Sequence, residues 1–137
     1  MSVIDTAIAP GLFDLPPHLV TSGTIYHDAW CTPYLCIHFP DLIGRVRVTV
    51  EFWNPAMIDR NPNEVVIRLD HRAIAVFPDL MPEQIQGVQR DVDVGAEGGL
   101  VLSIRSAGRC PQLAHDIRPL ALVIRNLTLE PMQGLIG

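Results

Sequence analysis

Arg45-Val46-Arg47-Val48-Thr49-Val50-Glu51-Phe52 alternates a polar residue with an apolar one at every step. Successive side chains of an extended strand point to opposite faces. Val46, Val48, Val50 and Phe52 therefore share one face, and Arg45, Arg47, Thr49 and Glu51 share the other. One face suits a core and the other suits water, which is the signature of an antiparallel sheet covered on one side. Trp53 has the parity of the polar set, so a regular strand directs it away from the core.

The same reading extends in both directions. Leu35, Ile37 and Phe39 fall on one face of the preceding strand. Downstream, Val65-Val66-Ile67-Arg68-Leu69 and Ala73-Ile74-Ala75-Val76-Phe77 flank Asp70-His71-Arg72, a short polar interruption that predicts a hairpin. Further strands are expected over residues 88–94 and 100–105. The glycines of Gly95-Ala96-Glu97-Gly98-Gly99 between them are read as the turn of a second hairpin. In the last strand Leu120, Leu122 and Ile124 share a face, whereas Leu127 and Leu129 have the opposite parity. A one-residue phase slip of this kind predicts a β-bulge at Arg125-Asn126. Only residues 82–89 could form a helical turn of any size.

About seven or eight short strands with Pro/Gly turns imply an all-β fold: a two-sheet antiparallel sandwich, jelly-roll-like or Greek key, with little helix. The chain has 137 residues, enough for one core, with 48% hydrophobic and 18% charged residues, twelve prolines and ten glycines. Residues 1–20, broken by Pro10-Gly11 and Pro16-Pro17, read as an extended N-terminal arm or linker, and residues 21–137 as a single sandwich domain.

The formal net charge of -5 argues against nucleic acid as a partner. All ten basic residues are Arg, which is read as coding bias rather than selection for planar donors. Cys31, Cys36 and Cys110 make an odd set, which fits a reducing compartment better than a disulfide framework. Residues 1–20 have no basic segment of secretory type, and the longest apolar runs are about five residues. A cytoplasmic location without membrane insertion is expected.

Several residue groups invite chemistry and find a simpler account. Cys31, Cys36 and His38 are soft metal donors, but their spacing lacks the paired form of a structural zinc site, and packed thiols explain them. Asp91, Asp93 and Glu97 alternate like calcium ligands, yet Asp91 and Asp93 alternate with Val92 and Val94 as the wet face of a strand does. Cys110 follows Arg109, whose charge favours a thiolate; an inert thiol is the preferred reading. No nucleophile elbow, phosphate loop or paired-His motif is present. Neither a metal nor another cofactor is expected.

Two groups remain as candidates. Trp30, Tyr34 and Trp53 lie near strand ends and are candidate carbohydrate contacts, since aromatic faces stack on sugar C–H surfaces. Asp116 and Arg118 stand two apart at the entrance to the last strand and are read as a structural clamp, the five donors of Arg fixing how the loop meets the sheet.

Tyr26-His27-Asp28-Ala29-Trp30, Arg45 to Val50 ending in Asn54-Pro55, the hairpin over residues 65–77, and Asp116-Ile117-Arg118-Pro119-Leu120-Ala121-Leu122 together resemble a β-sandwich module associated with bacterial glycosyltransferases and cell-surface polysaccharide proteins. The resemblance covers about residues 22–130. Ala29 and Ala121 stand where the module's pattern has Gly. What it implies is a non-catalytic accessory or carbohydrate-binding domain in bacterial surface-polysaccharide metabolism, with a glycan or a glycosyltransferase domain as partner. A structural, homo-oligomeric or protein-docking module without glycan affinity is the alternative. A small enzyme using His27, His38 or His115 with Asp28 or Asp116 is the third reading.

Overall fold

A computed structural model describes residues 15–95 and 98–132. The fold is all-β, and no helix occurs among these residues. Nine strands follow in order: β1 (Leu19–Ser22), β2 (Trp30–Cys31), β3 (Tyr34–Phe39), β4 (Arg45–Trp53), β5 (Asn63–Leu69), β6 (Arg72–Leu80), β7 (Ile85–Asp93), β8 (Leu100–Ser106) and β9 (Leu122–Pro131). They form two antiparallel sheets facing each other, ordered β1-β3-β8-β5-β6 and β2-β9-β4-β7. Only β5 and β6 are neighbours both in sequence and in a sheet; every other connection between consecutive strands crosses from one sheet to the other. The part of the arm that is described includes β1, which pairs with β3 and buries Val20; residues 1–14 lie outside the described residues.

The core lies between the sheets and is built by the alternation. Val46, Val48, Val50 and Phe52 from β4 are fully buried, as are Ile37 and Phe39 from β3 and Val65 and Ile67 from β5. Arg125 is the extra residue on β9: Glu51 pairs with Asn126 while Phe52 pairs with Ile124. The bulge lets Ile124 and Leu127, three apart, both point inward and stay buried. In the β5–β6 hairpin, Leu69 pairs with Arg72, and Asp70 and His71 both adopt positive φ, 49° and 71°. Two such residues make the turn whose twist matches the flanking strands.

Two expectations are corrected. The glycine-rich segment after residue 94 does not close a hairpin, because β7 pairs with β4 in one sheet and β8 lies between β3 and β5 in the other. Glycines permit a change of direction but do not select the strand that receives the chain. Residues 82–89 form no helical turn; Ile85 begins β7, paired with Trp53, and the ladder along β4 outweighs any local helical preference.

One end of the sandwich is closed by a buried polar network. Asn54 and Asn63 are fully buried, and Asn63 Nδ2 donates to Asn54 Oδ1 at 2.9 Å and to Ser106 Oγ at 3.0 Å. Gly108 N donates to Asn63 Oδ1 at 2.8 Å, Ser106 Oγ donates to the Gly108 carbonyl, and Asn54 Nδ2 donates to the Met81 carbonyl. Both amide side chains are thereby engaged on their oxygen or nitrogen ends, so the network anchors three loops with little desolvation cost.

Candidate functional site

The fold separates the three candidate aromatics. Trp30 and Trp53 lie on the outer face of the four-stranded sheet, both paired with Val123, with ring centroids 6.1 Å apart at 71°. Ile85, 44% exposed, continues this row on β7 opposite Trp53. The two indoles are half-buried, and each covers part of the other through an edge-to-face contact. Tyr34 lies on the other sheet and is 42% exposed.

Tyr34 borders an open depression of about 820 Å³ across the outer face of the five-stranded sheet. Register builds its floor. Tyr34 pairs with Arg105 on β8, which pairs in turn with Val66 on β5; one step along, Cys36 pairs with Ser103, which pairs with Arg68. Arg105 and Arg68 are therefore diagonal neighbours on adjacent strands. Between them Ser103 is small and nearly buried, which leaves the middle of the face low. Arg109, His71 and Glu64 complete the rim. Among the described residues, none of Arg68, Arg105 and Arg109 forms an ion pair; the pairs present are Arg47–Asp91, Arg118–Asp28, Arg118–Asp116 and Arg125–Glu51. Arg105 and Arg109 are exposed and Arg68 is half-buried. Of this group the sequence reading singled out only Tyr34.

Asp116 and Arg118 meet as neighbours, joined by Asp28 and Tyr26. Arg118 Nε and Nη2 donate to Asp116 Oδ1 and Oδ2 at 2.8 and 2.9 Å, while Nη1 and Nη2 donate to Asp28 Oδ1 and Oδ2 at 3.1 and 2.9 Å. The guanidinium carbon lies 4.7 Å from the centre of the Tyr26 ring. One planar cation thus ties the loop before β2 to the loop before β9. Hydrogen bonding to Arg118 holds the Asp116 carboxyl down at about 2 and lowers that of Asp28 as well. With its donors committed to two carboxylates, Arg118 has little left to offer a ligand. Tyr26 N donates to the Trp30 carbonyl at 2.7 Å, and Ala29 closes this turn at φ 74°.

Cys31 and Cys36 do not converge. Cys31 is buried under the four-stranded sheet and Cys36 lies half-buried on the outer face of the five-stranded one, the face that also carries His38. Among the described residues no group of three or more His, Cys, Asp and Glu side chains is placed to hold a metal ion. Burial pushes the Cys31 thiol up to about 12 and the Cys110 thiol up to about 11, so proximity to Arg109 does not produce a thiolate. Asp91, one of the alternating carboxylates, is engaged by Arg47, whose Nε and Nη2 donate to it at 2.8 and 3.1 Å. No helix among the described residues is long and apolar enough to cross a membrane.

No family model matches the chain, and no curated protein matches its sequence.

Proposed function

We propose that this domain is a non-catalytic recognition module that binds carbohydrate across the outer face of its five-stranded sheet. The observation that carries the reading is the depression itself, where an exposed tyrosine stands beside guanidinium groups without ion-pair partners on a face floored by Ser103 and Val66. Sugars offer apolar C–H faces for stacking and hydroxyl groups that accept from fixed donors, and Tyr34 and Arg105 supply one of each on paired strands. A shallow, open surface suits an extended chain better than a small molecule enclosed in a crevice. The resemblance to glycosyltransferase-associated sandwich modules supports a polysaccharide setting.

A glycan array followed by calorimetric titration of the full chain tests the reading. Binding of at least one saccharide, weakened about tenfold or more by Tyr34→Ala, is expected. A wild-type chain without saccharide affinity removes it.

The row Trp30, Val123, Trp53 and Ile85 favours a second role, docking of another protein domain on the opposite sheet. A glycosyltransferase domain is the partner that the resemblance suggests. Loss of complex formation on Ile85→Asp, with glycan binding retained, is the outcome this role requires.

A further inference from the structure

We infer that the ligand of the Tyr34 depression is an acidic saccharide whose uronic-acid carboxylates are gripped by Arg68, Arg105 and Arg109. The inference rests on the recognition reading above and names its ligand class.

Its basis is a local reversal of charge. The chain carries a net charge of -5, yet the rim of the depression holds three arginines and His71 against the single carboxylate of Glu64. Elsewhere Arg47, Arg118 and Arg125 are each matched with a carboxylate, while Arg45, Arg60, Arg72 and Arg90 form no ion pair among the described residues. Arg68, Arg105 and Arg109 also form none, and what distinguishes them is that they gather around one depression with a single carboxylate, whereas Arg72 and Arg90 share theirs with Asp70, Asp91 and Asp93. A neutral sugar would leave the concentrated positive charge unanswered, whereas carboxylates would neutralise it, each able to accept two parallel N–H donors from a guanidinium.

The spacing fits a repeating chain. Arg105 and Arg68 are diagonal neighbours across the β8–β5 ladder, positions that lie roughly 7–8 Å apart with Cβ atoms somewhat closer. Both side chains are long, so two anionic groups on nearby sugar units are within their span. Tyr34, paired with Arg105, flanks the same path with a stacking face. Arg109 stands past the end of β8 beside Ala107, and so lengthens the positive track along the strand. The ring of His71, at the β5–β6 turn, lies at the other end.

The test is calorimetric titration of the full chain with three probes of similar length: oligogalacturonate, its carboxyl-reduced neutral counterpart, and inorganic polyphosphate. Oligogalacturonate is expected to bind at least about tenfold more tightly than the neutral oligomer, with affinity falling as salt rises. Arg68→Gln and Arg105→Gln are each expected to weaken uronate binding about tenfold, and Arg45→Gln, on the opposite sheet, to leave it unchanged. Circular dichroism and melting confirm that each variant is folded. Equal affinity for the neutral oligomer, unaffected by the two Gln variants, would overturn the acidic-ligand inference while leaving carbohydrate recognition standing. Polyphosphate binding as tightly as the uronate would overturn it in favour of a general anion surface. Failure of every saccharide, acidic or neutral, would remove the inference and the recognition reading together.

Discussion

Ala29 holds φ at 74°, a left-handed conformation that costs an L-residue about 1–2 kcal/mol. Glycine there relieves that strain but adds unfolded-state entropy of roughly 0.5–1 kcal/mol. The strain term wins, so Ala29→Gly is expected to raise stability by up to about 1 kcal/mol in urea denaturation. An unchanged or lowered midpoint would show that the turn tolerates Ala without strain. Arg118, a few residues away in space, makes a pH-dependent contribution. Its hydrogen bonds lower Asp116 to about 2 and lower Asp28, so both are ionised in the folded chain at pH values where the unfolded chain takes up protons. Stability from this cluster is present in full above the ordinary carboxylate range and is lost as pH falls towards about 2. Arg118→Gln is accordingly expected to lower Tm at neutral pH, with the gap from the wild type narrowing steadily as pH drops from about 4 to about 2. A gap independent of pH would mean that Arg118 acts by packing on Tyr26 rather than by charge.

The bulge on β9 gives the sharpest contrast between elements. Arg125 is exposed, and its bond to Glu51 at 3.4 Å is a surface pair worth no more than about 1 kcal/mol. Arg125→Ala should therefore leave stability nearly unchanged. Deleting the residue should instead abolish cooperative unfolding, because a one-residue slip turns Leu127 and Leu129, or Leu122 and Ile124, out of the core. Thermal melts of the two variants distinguish side chain from register. This bulge was legible in the sequence because parity breaks leave a local trace, and the β5–β6 hairpin was legible because its partner lies two residues away. The segment after Val94 was misread for the complementary reason: the sheet that receives β8 is decided by β3 and β5, far away in sequence. The site was partly legible on the same terms. Tyr34 stands out as an aromatic, but Arg68, Arg105 and Arg109 become one group only through the β3–β8–β5 pairing, which no local pattern records.

As a whole, the molecule sets two unlike outer faces on one core. The four-stranded sheet presents an apolar row at one end and, further along, the Arg47–Asp91 pair; the five-stranded sheet presents Tyr34 beside three arginines gathered round one depression. Alternation in each strand buries one side and leaves the other free for surface chemistry, so such faces can change with little cost to the core. Trp53→Ala is expected to lower stability, since it removes half-buried contact with Trp30, while sparing saccharide affinity; Tyr34→Ala is expected to do the reverse. Equal loss of affinity in both variants, measured by calorimetry, would place the ligand elsewhere.

The most direct test of recognition on the five-stranded sheet is a two-dimensional amide NMR titration of the isotope-labelled chain with oligogalacturonate. The account predicts saturable shift changes concentrated at Tyr34, Arg68, Ser103 and Arg105, with Trp30, Trp53 and Ile85 unmoved. Shifts confined to the Trp30–Trp53 face, or absent throughout at saturating saccharide, would contradict it.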